Sequence, residues 1–592
     1  MADLSSQPTP ITTIYNWYRN GTLMVNRKYQ RKLVWTLPEK QKLIDSILND
    51  YPIPLVLLAE NRDNSSSSFE ILDGLQRLHT IVSFIENGFL TTDQRSFNVD
   101  EFARAKDERE AKKFTERNDT PKLTRPEVAK ILDYILPVSV IRNATDSEVT
   151  DIFDRINSYG HRLSDQERRQ AGLVSPFSQF VRSTACELRG DVSVDALPLY
   201  QMPEISVDLP KTKYGYGIQA EDVFWVYHGV LRSTDLRDSL DEQVIADISA
   251  CILSGNPVER SKEALDNVYD PSHPEGTRIA SLLSTYGEDR LRSEIKFCIE
   301  QIDLIARAGA ANYSLRSIVF KNRTTNPFPT VFANIFLAIH ELIFKEHLLP
   351  ANRVGAKEAI SNIHSRLNTQ RDALGPEERK ANINTVKGLI RDHFVTADVS
   401  KAAYGVRREL DIENTLRRSQ IETPKFEFKQ GLLRLDQSRE RDEGVVTKVL
   451  QTVCAIANIS PTSNGAVFIG VADDEADSQR ISDLDGVTPV QVGNRWVVGI
   501  SREAKILGLS PEQYYQLWRE KIGTSQLSTQ LKADILSNLD FCEFKGQQMI
   551  IITIPSQKEV SLLGDEIFVR EGDKTVKASA EKILAISNRF RS

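Results

Sequence analysis

A chain of 592 residues is too long for one hydrophobic core, and about three or four domains of ordinary size are expected. With 40% apolar and 27% charged residues, no apolar run long enough to span a bilayer, and an N-terminus (MADLSSQPTPITTIY) without a basic stretch leading into an apolar core, it reads as a soluble, cytoplasmic protein with no membrane partner. A net charge of −7 excludes a uniformly basic nucleic-acid coat while leaving room for a local basic groove, and five scattered cysteines without a CxxC pair argue against a disulfide framework or a zinc ribbon.

Along the chain, Thr36 and Glu39 form a capping box, with Pro38 in the first turn, and predict a helix over TLPEKQKLIDSIL. The run Tyr51 to Glu60 follows as a buried strand, and the polar tip NRDNSSSS leads into a second strand ending at FEIL. The charged segment from Glu101 to Arg125 reads as a solvated helix or excursion. From about 146 to 400 apolar residues recur three and four apart, as in FPTVFANIFLAIHELIFKEHLL, and predict an α-helical body. Beyond about 405 the chain alternates β-like runs (FEFK, AVFIGVA, RWVVGI, MIIITIP, EIFVREG) with two well-signalled helices, DEGVVTKVLQTVCAIAN and SPEQYYQLWREKI, the latter opened by Ser510, Pro511 and Gln513 in capping-box order. The expected organisation is therefore a mixed α/β domain over 1–145, a helical body over 146–400 and an α/β domain over 405–592, with no internal repeat.

Within FEILDGLQRLHT a strand ends at Asp73, Gly74 turns the chain and a helix starts near Leu75. Such a corner collects free backbone N–H groups and the positive end of a helix, which suits a phosphate. Arg77 would add a guanidinium, and Asp73 would hold a metal ion or a ribose hydroxyl. The same corner also serves purely structural purposes in many folds, and these residues alone leave both readings open.

Two further stretches bear on the choice, YQRKLVW upstream and FDRINSYGHRLSDQE downstream, the latter with a capping box at Ser164 and Glu167. Taken with DGLQRLHT, the three motifs resemble in order and spacing the N-terminal domains of GmrSD-type modification-dependent restriction enzymes, which look like the ParB and sulfiredoxin fold. The resemblance covers roughly residues 10–180 and implies a nucleoside triphosphate site, for ATP or GTP, with hydrolysis in many members. It implies that Tyr29, Gln30 and Arg31 face the pocket of Asp73, Gly74, Gln76 and Arg77, and that Arg155 and Asn157 close it. The family pattern has Gln and Thr where this chain has Leu75 and His79, which supports binding ahead of hydrolysis. Trp35 reads as a core anchor.

In the last domain, Glu427 and Lys429 alternate with Phe426 and Phe428, so that a strand would put both charges on one side. Glu422 precedes them, and the strand GAVFIGVA ends in Asp473, Asp474 and Glu475. If these strands are neighbours, carboxylates and a lysine converge as a divalent-ion site requires; an amphipathic edge strand followed by an acidic turn is the plainer alternative. EFK, TVCAIANISPTSNGAVFIGVADD and MIIITIPSQKEVSLLGDEIFVREGDKT together resemble the Schlafen-type AlbA domain over about 415–585. That resemblance implies a Mg²⁺- or Mn²⁺-dependent nuclease, with Glu422, Glu427 and Asp473 or Asp474 as metal ligands and Lys429 stabilising the reacting phosphate, or else a binding module.

No GxxxxGK[ST] P-loop, GxSxG or zinc spacing is present, and the histidines of HELIFKEH are seven apart rather than four. The resulting expectation is a bacterial anti-phage or restriction-like protein: a nucleotide-binding sensor, a helical coupler and a nucleic-acid-directed effector, with DNA favoured over RNA and a homo-oligomer allowed. The alternatives are a non-catalytic DNA-binding regulator or assembly protein, and an NTPase whose last domain only recruits a partner.

Overall fold

The structure is a computed structural model that describes the chain apart from residues 1–2, 28–31, 64–65, 112, 118, 146–147, 150, 153–154, 156–163, 172–174, 192–195, 203, 207–216, 310–313, 323, 369–374, 400–411, 414, 417–422, 462, 494, 572–573 and 591–592. It divides into two compact units, Met1–Ala403 and Tyr404–Ser592. No helix among the described residues is long and apolar enough to cross a membrane.

The first unit is built on a mixed six-stranded sheet of β1 (Asp3–Ser6), β2 (Leu23–Asn26), β3 (Val56–Asp63), β4 (Ser66–Asp73), β5 (Val138–Arg142) and β6 (Ala196–Pro198), in the order β1-β5-β3-β4-β2-β6. β3 and β4 form an antiparallel hairpin, and β5 and β2 flank it in parallel. The edge strand β6 comes from the segment that periodicity marks as helical; it is only three residues long, too short for a repeat to register.

Helices α1 (Ile11–Arg19), α2 (Leu37–Leu48), α3 (Leu75–Ile85) and α4 (Arg125–Asp133) cover the sheet. Ile14, Ile44, Leu78, Ile81, Phe84 and Ile131 from these helices close one core with Val56, Leu58, Ile71 and Val138 of the strands. The α2 capping box forms as the sequence predicts, with the Thr36 N–H donating to Glu39 at 2.8 Å. Trp35 packs against this core as an anchor. The charged stretch after Glu101 folds as a short helix, Ala103–Glu110, with only Ala105 buried.

The rest of the unit is mainly helical, its principal members being α5 (Pro176–Arg189), α6 (Leu240–Ser254), α7 (Glu288–Arg307) and α8 (Pro329–His340). The α8 run continues through Glu341–Lys345 as a π-helical turn, so HELIFKEH is a helix end. His340 there is buried and bonded to Glu294 at 2.8 Å.

The second unit holds a four-stranded sheet of β7 (Phe426–Lys429), β8 (Gly465–Ile469), β13 (Gln547–Ile554) and β12 (Leu539–Phe544), in that spatial order. A small sheet of β9 (Val471–Ala472), β10 (Val490–Val492) and β11 (Arg495–Val497) continues from β8, and β14 (Phe568–Glu571) pairs with β15 (Lys574–Lys577). β8 is buried at every residue because α9 (Glu443–Ala457) and the core around Trp518 cover one face while Phe428, Phe468 and Ile551 fill the other. The remaining helices that matter below are α10 (Glu475–Asp485), α11 (Ser501–Ile506), α12 (Pro511–Gly523) and α13 (Ala580–Arg589). The architecture is multidomain and mixed α/β with a large helical part.

Candidate functional site

At the first corner β4 delivers Asp73 to the start of α3. Gly74 has φ +98°, and a Cβ on it would lie 2.9 Å from a methyl of Val56, so both the conformation and the space demand glycine. The Asp73 carboxylate accepts from the Gly74 N–H at 2.7 Å and from Nη2 of Arg77 at 2.8 Å. Arg77 is mostly covered, its side chain 12% exposed, whereas that of Asp73 is 48% exposed. In this arrangement Asp73 occupies the place where an incoming anion would meet the first N–H of the corner, and it neutralises the guanidinium the anion would use.

Gln76 is turned to another purpose. Its Oε1 accepts from the N–H groups of Val34 and Trp35 at 3.2 and 3.3 Å, and its Nε2 donates to the Lys32 carbonyl at 2.6 Å. It straps the segment after the YQR motif to α3. His79, one turn further on, is held neutral: burial, then the nearby Lys40 charge, push its imidazole down to about 3. Arg155 makes an exposed pair with Asp151 at 2.9 Å and, among the described residues, does not touch Asp73, Gly74 or Arg77. Tyr29, Gln30, Arg31 and Asn157 lie outside the described residues.

The second candidate site sits at the C-terminal ends of β7 and β8. The parallel register sets Glu427 beside Val467 and Lys429 beside Ile469. Phe428, on the opposite side, stacks on Phe468 at 5.5 Å, and alternation therefore aims Glu427 and Lys429 together. Lys429 Nζ donates to Glu427 Oε1, while Nη1 of Arg570, on β14, donates to Glu427 Oε2 at 2.9 Å. The Arg570 side chain is 2% exposed. Arg495, on β11, lies 4.2 Å from the centre of the Phe428 ring and donates to Asp473 Oδ1 at 3.2 Å. Asp474 caps α10, accepting from the Asp477 N–H at 2.8 Å.

Asp473 and the Glu427–Lys429 pair share one electrostatic environment. The Asp473 carboxyl is raised above the usual aspartate range, first by partial burial; Lys429 and Arg495 oppose the rise, and Glu427 and Asp474 add to it. Three carboxylates and three cations are thus interleaved, and each carboxylate already has a partner. Among the described residues no three acidic, histidine or cysteine side chains are placed to hold one metal ion. The described donors do not fit a divalent ion as they stand, because Glu427 and Asp473 are each neutralised by a guanidinium or an ammonium and Asp474 is engaged at a helix start. Glu422 lies outside the described residues.

Sequence reasoning missed Arg570 and Arg495. The available signal was a lone cation in each of two apolar strand runs, EIFVREG and RWVVGI; such a residue needs a carboxylate, and Glu427 and Asp473 supply it.

Compared with protein families, residues 11–174 match the model described as GmrSD restriction endonuclease, N-terminal domain, and residues 422–579 match that described as Schlafen, AlbA_2. Neither curated proteins nor solved structures give a match. The matches cover the two segments that carry the corner at Gly74 and the cluster at Glu427, and the chain is accordingly a GmrSD-type N-terminal domain followed, after a helical region, by a Schlafen AlbA_2 domain.

Proposed function

We propose that the protein is a restriction-like defence factor whose AlbA_2 domain engages nucleic acid, DNA ahead of RNA, under the control of an N-terminal sensor that binds ATP or GTP. The observation that carries the reading is the cluster of Lys429, Arg495 and Arg570 on the strands of an AlbA_2 domain. Phosphate oxygens are acceptors of the same kind as the carboxylates these cations now hold. A nucleic-acid backbone would compete with Glu427 and Asp473 for Lys429 and Arg495, with Arg570 left to hold Glu427. The mixed sheet and the Asp73–Gly74 corner support the ParB/sulfiredoxin-like reading of the sensor, in which a triphosphate competes with Asp73 for Arg77 and the Gly74 N–H. Cleavage would require Mg²⁺ or Mn²⁺ on Glu422 together with Glu427 and Asp473. The pairing of the described carboxylates favours binding over cleavage.

The test is retention of plasmid DNA, phage DNA and total RNA by the purified protein across a salt series, with and without ATP, GTP and Mg²⁺ or Mn²⁺. Product size and free phosphate are recorded in the same tubes. The joint Lys429→Gln, Arg495→Gln variant should lose affinity and flatten the log–log salt slope by roughly 1 per phosphate contact removed. Binding of the variant equal to the parent would overturn the reading. Products that vanish in Glu427→Gln would establish cleavage instead, and phosphate release indifferent to nucleic acid would favour an NTPase with a recruiting domain.

A further inference from the structure

Helix α13 begins at Ala580, just past the AlbA_2-matched segment, which ends at residue 579. Of its ten residues only Ile586 is buried, so the helix does not seal the surface beneath it. Between it, β14 and the end of α9 lies a cleft of about 220 Å³, lined on the apolar side by Ile459, Val569 and Ile586. Its charged lining residues are Arg570, Lys582 and Arg589 against a single carboxylate, Glu571, and the Arg570 guanidinium is itself engaged by Glu427. Lys582 pairs with Glu571, and Nη1 of Arg589 donates to the Ile459 carbonyl. A guanidinium carries five N–H donors in one plane and can meet a carbonyl and a phosphate edge together.

We propose that this cleft binds one nucleotide unit, with its base against Ile459, Val569 and Ile586 and its phosphate at Lys582 and Arg589. An inorganic anion would have no use for the apolar wall, and an aliphatic ligand none for Lys582 and Arg589; a flat apolar ring carrying a phosphate uses both. The volume is below that of a drug-sized pocket and admits a single unstacked base but not a base pair. Arg570 lines the cleft and also holds Glu427, so the cleft adjoins the cationic cluster. The proposal rests on the nucleic-acid reading of this domain and narrows it to single-stranded or flipped-out nucleotides. The unit can be supplied by a strand or by a free mononucleotide.

The full-length protein is titrated with a labelled single-stranded DNA, the RNA of the same sequence, the matching duplex, and AMP. Parent, Lys582→Gln/Arg589→Gln and Ala585→Trp are compared, the last filling the cleft from α13 without changing charge, and thermal unfolding confirms that each is folded. Both variants should bind the single strands about tenfold more weakly than the parent. The double variant should also lower the single-strand salt slope by about 0.7, the share of one phosphate contact, and duplex binding should not change. AMP binding abolished by Ala585→Trp, with strand binding unaffected, supports the cleft with a free nucleotide as its ligand. Variants that bind every probe as the parent does overturn the cleft while leaving the nucleic-acid reading intact. A parent that binds no probe overturns both.

Discussion

Lys429 leaves the sheet into a turn, Gln430–Leu433, that is held from behind by one carboxylate. Glu503, at 0% exposure, accepts from the Leu432 N–H at 2.6 Å, the Leu433 N–H at 3.1 Å and the Tyr514 hydroxyl at 2.7 Å, with Nη2 of Arg502 at 3.3 Å. Gly431, at φ +154°, makes the approach possible, since a Cβ there would overlap the carboxylate. Burial first, then the Glu503 charge, raise the Tyr514 phenol well above its ordinary range, so it remains a donor. Glu503→Ala would strand three buried donors and leave Arg502 short of a partner. At about 1–3 kcal/mol for each orphaned donor, less what relaxation and water recover, the expected loss is about 3–5 kcal/mol. Glu503→Gln keeps the volume but presents an NH₂ where donors already point, and should cost about 3 kcal/mol. The sharpest assay is amide hydrogen exchange of the peptide spanning residues 430–435, read by mass spectrometry beside urea unfolding. A local loss of about 3 kcal/mol should speed exchange at Leu432 and Leu433 roughly a hundredfold. If both variants keep parental exchange at these amides and a parental unfolding midpoint, the carboxylate does not hold the turn and this account of how Lys429 is placed fails.

Gly74→Ala should cost about 2–3 kcal/mol, from the left-handed backbone and the contact with Val56; adding Val56→Ala should relieve the steric share, and urea unfolding of the two variants measures the difference. Gln76→Ala leaves the N–H groups of Val34 and Trp35 without their acceptor and should destabilise by about 2 kcal/mol, with faster amide exchange at these two residues as the readout. The His79 imidazole is lowered to about 3 in the folded chain, below its ordinary value near 6.5. The unfolded chain therefore takes up a proton that the folded chain refuses, and stability contributed by the neutral ring is lost as pH falls from about 6.5 towards 3. Unfolding compared at about pH 7 and about pH 4.5 should show a loss in the parent larger by about 2 kcal/mol than in His79→Thr; equal losses would show that the ring is not kept neutral.

What the sequence revealed was local. The capping boxes at Thr36, Ser164 and Ser510 each join residues three apart, and all three form. The turn at Gly74 was legible for the same reason. Gln76 was not, because its partners at Lys32 to Trp35 lie more than forty positions away and its amide resembles that of any polar surface residue until the chain is folded. The acidic stretch after Asp474, for which a turn was one of the two alternatives, is the eleven-residue helix α10, with only Ser478 and Ile481 buried. A helix with so little apolar surface has no periodicity to detect, and its cap at Asp474 is the clue that was there. Arg570 stands 143 positions from Glu427, and no pattern of spacing connects them.

The first unit also contains a set of charges that stability alone does not call for. Arg27 reaches Asp191 at 2.6 Å, Lys32 lies 3.6 Å from Asp241 and 3.8 Å from Glu242, and Arg189 binds Asp241 and stands 3.5 Å from Glu242. All six side chains are within 3% of full burial. Apolar residues of similar volume often stabilise such a site as well, whereas a carboxylate here that lost its cation would be left as an uncompensated buried charge. Arg27 follows β2 directly, and Lys32 donates to the Leu236 carbonyl and Ser239 hydroxyl ahead of α6. Arg27 also reaches Cys186 on α5 and Lys32 the first turn of α6, while Gln76 holds the Lys32 carbonyl from the first turn of α3. Arg77 is on that same turn. The start of α3 is thus tied, through Gln76 and the Lys32 ammonium, to the buried carboxylates Asp241 and Glu242 of α6.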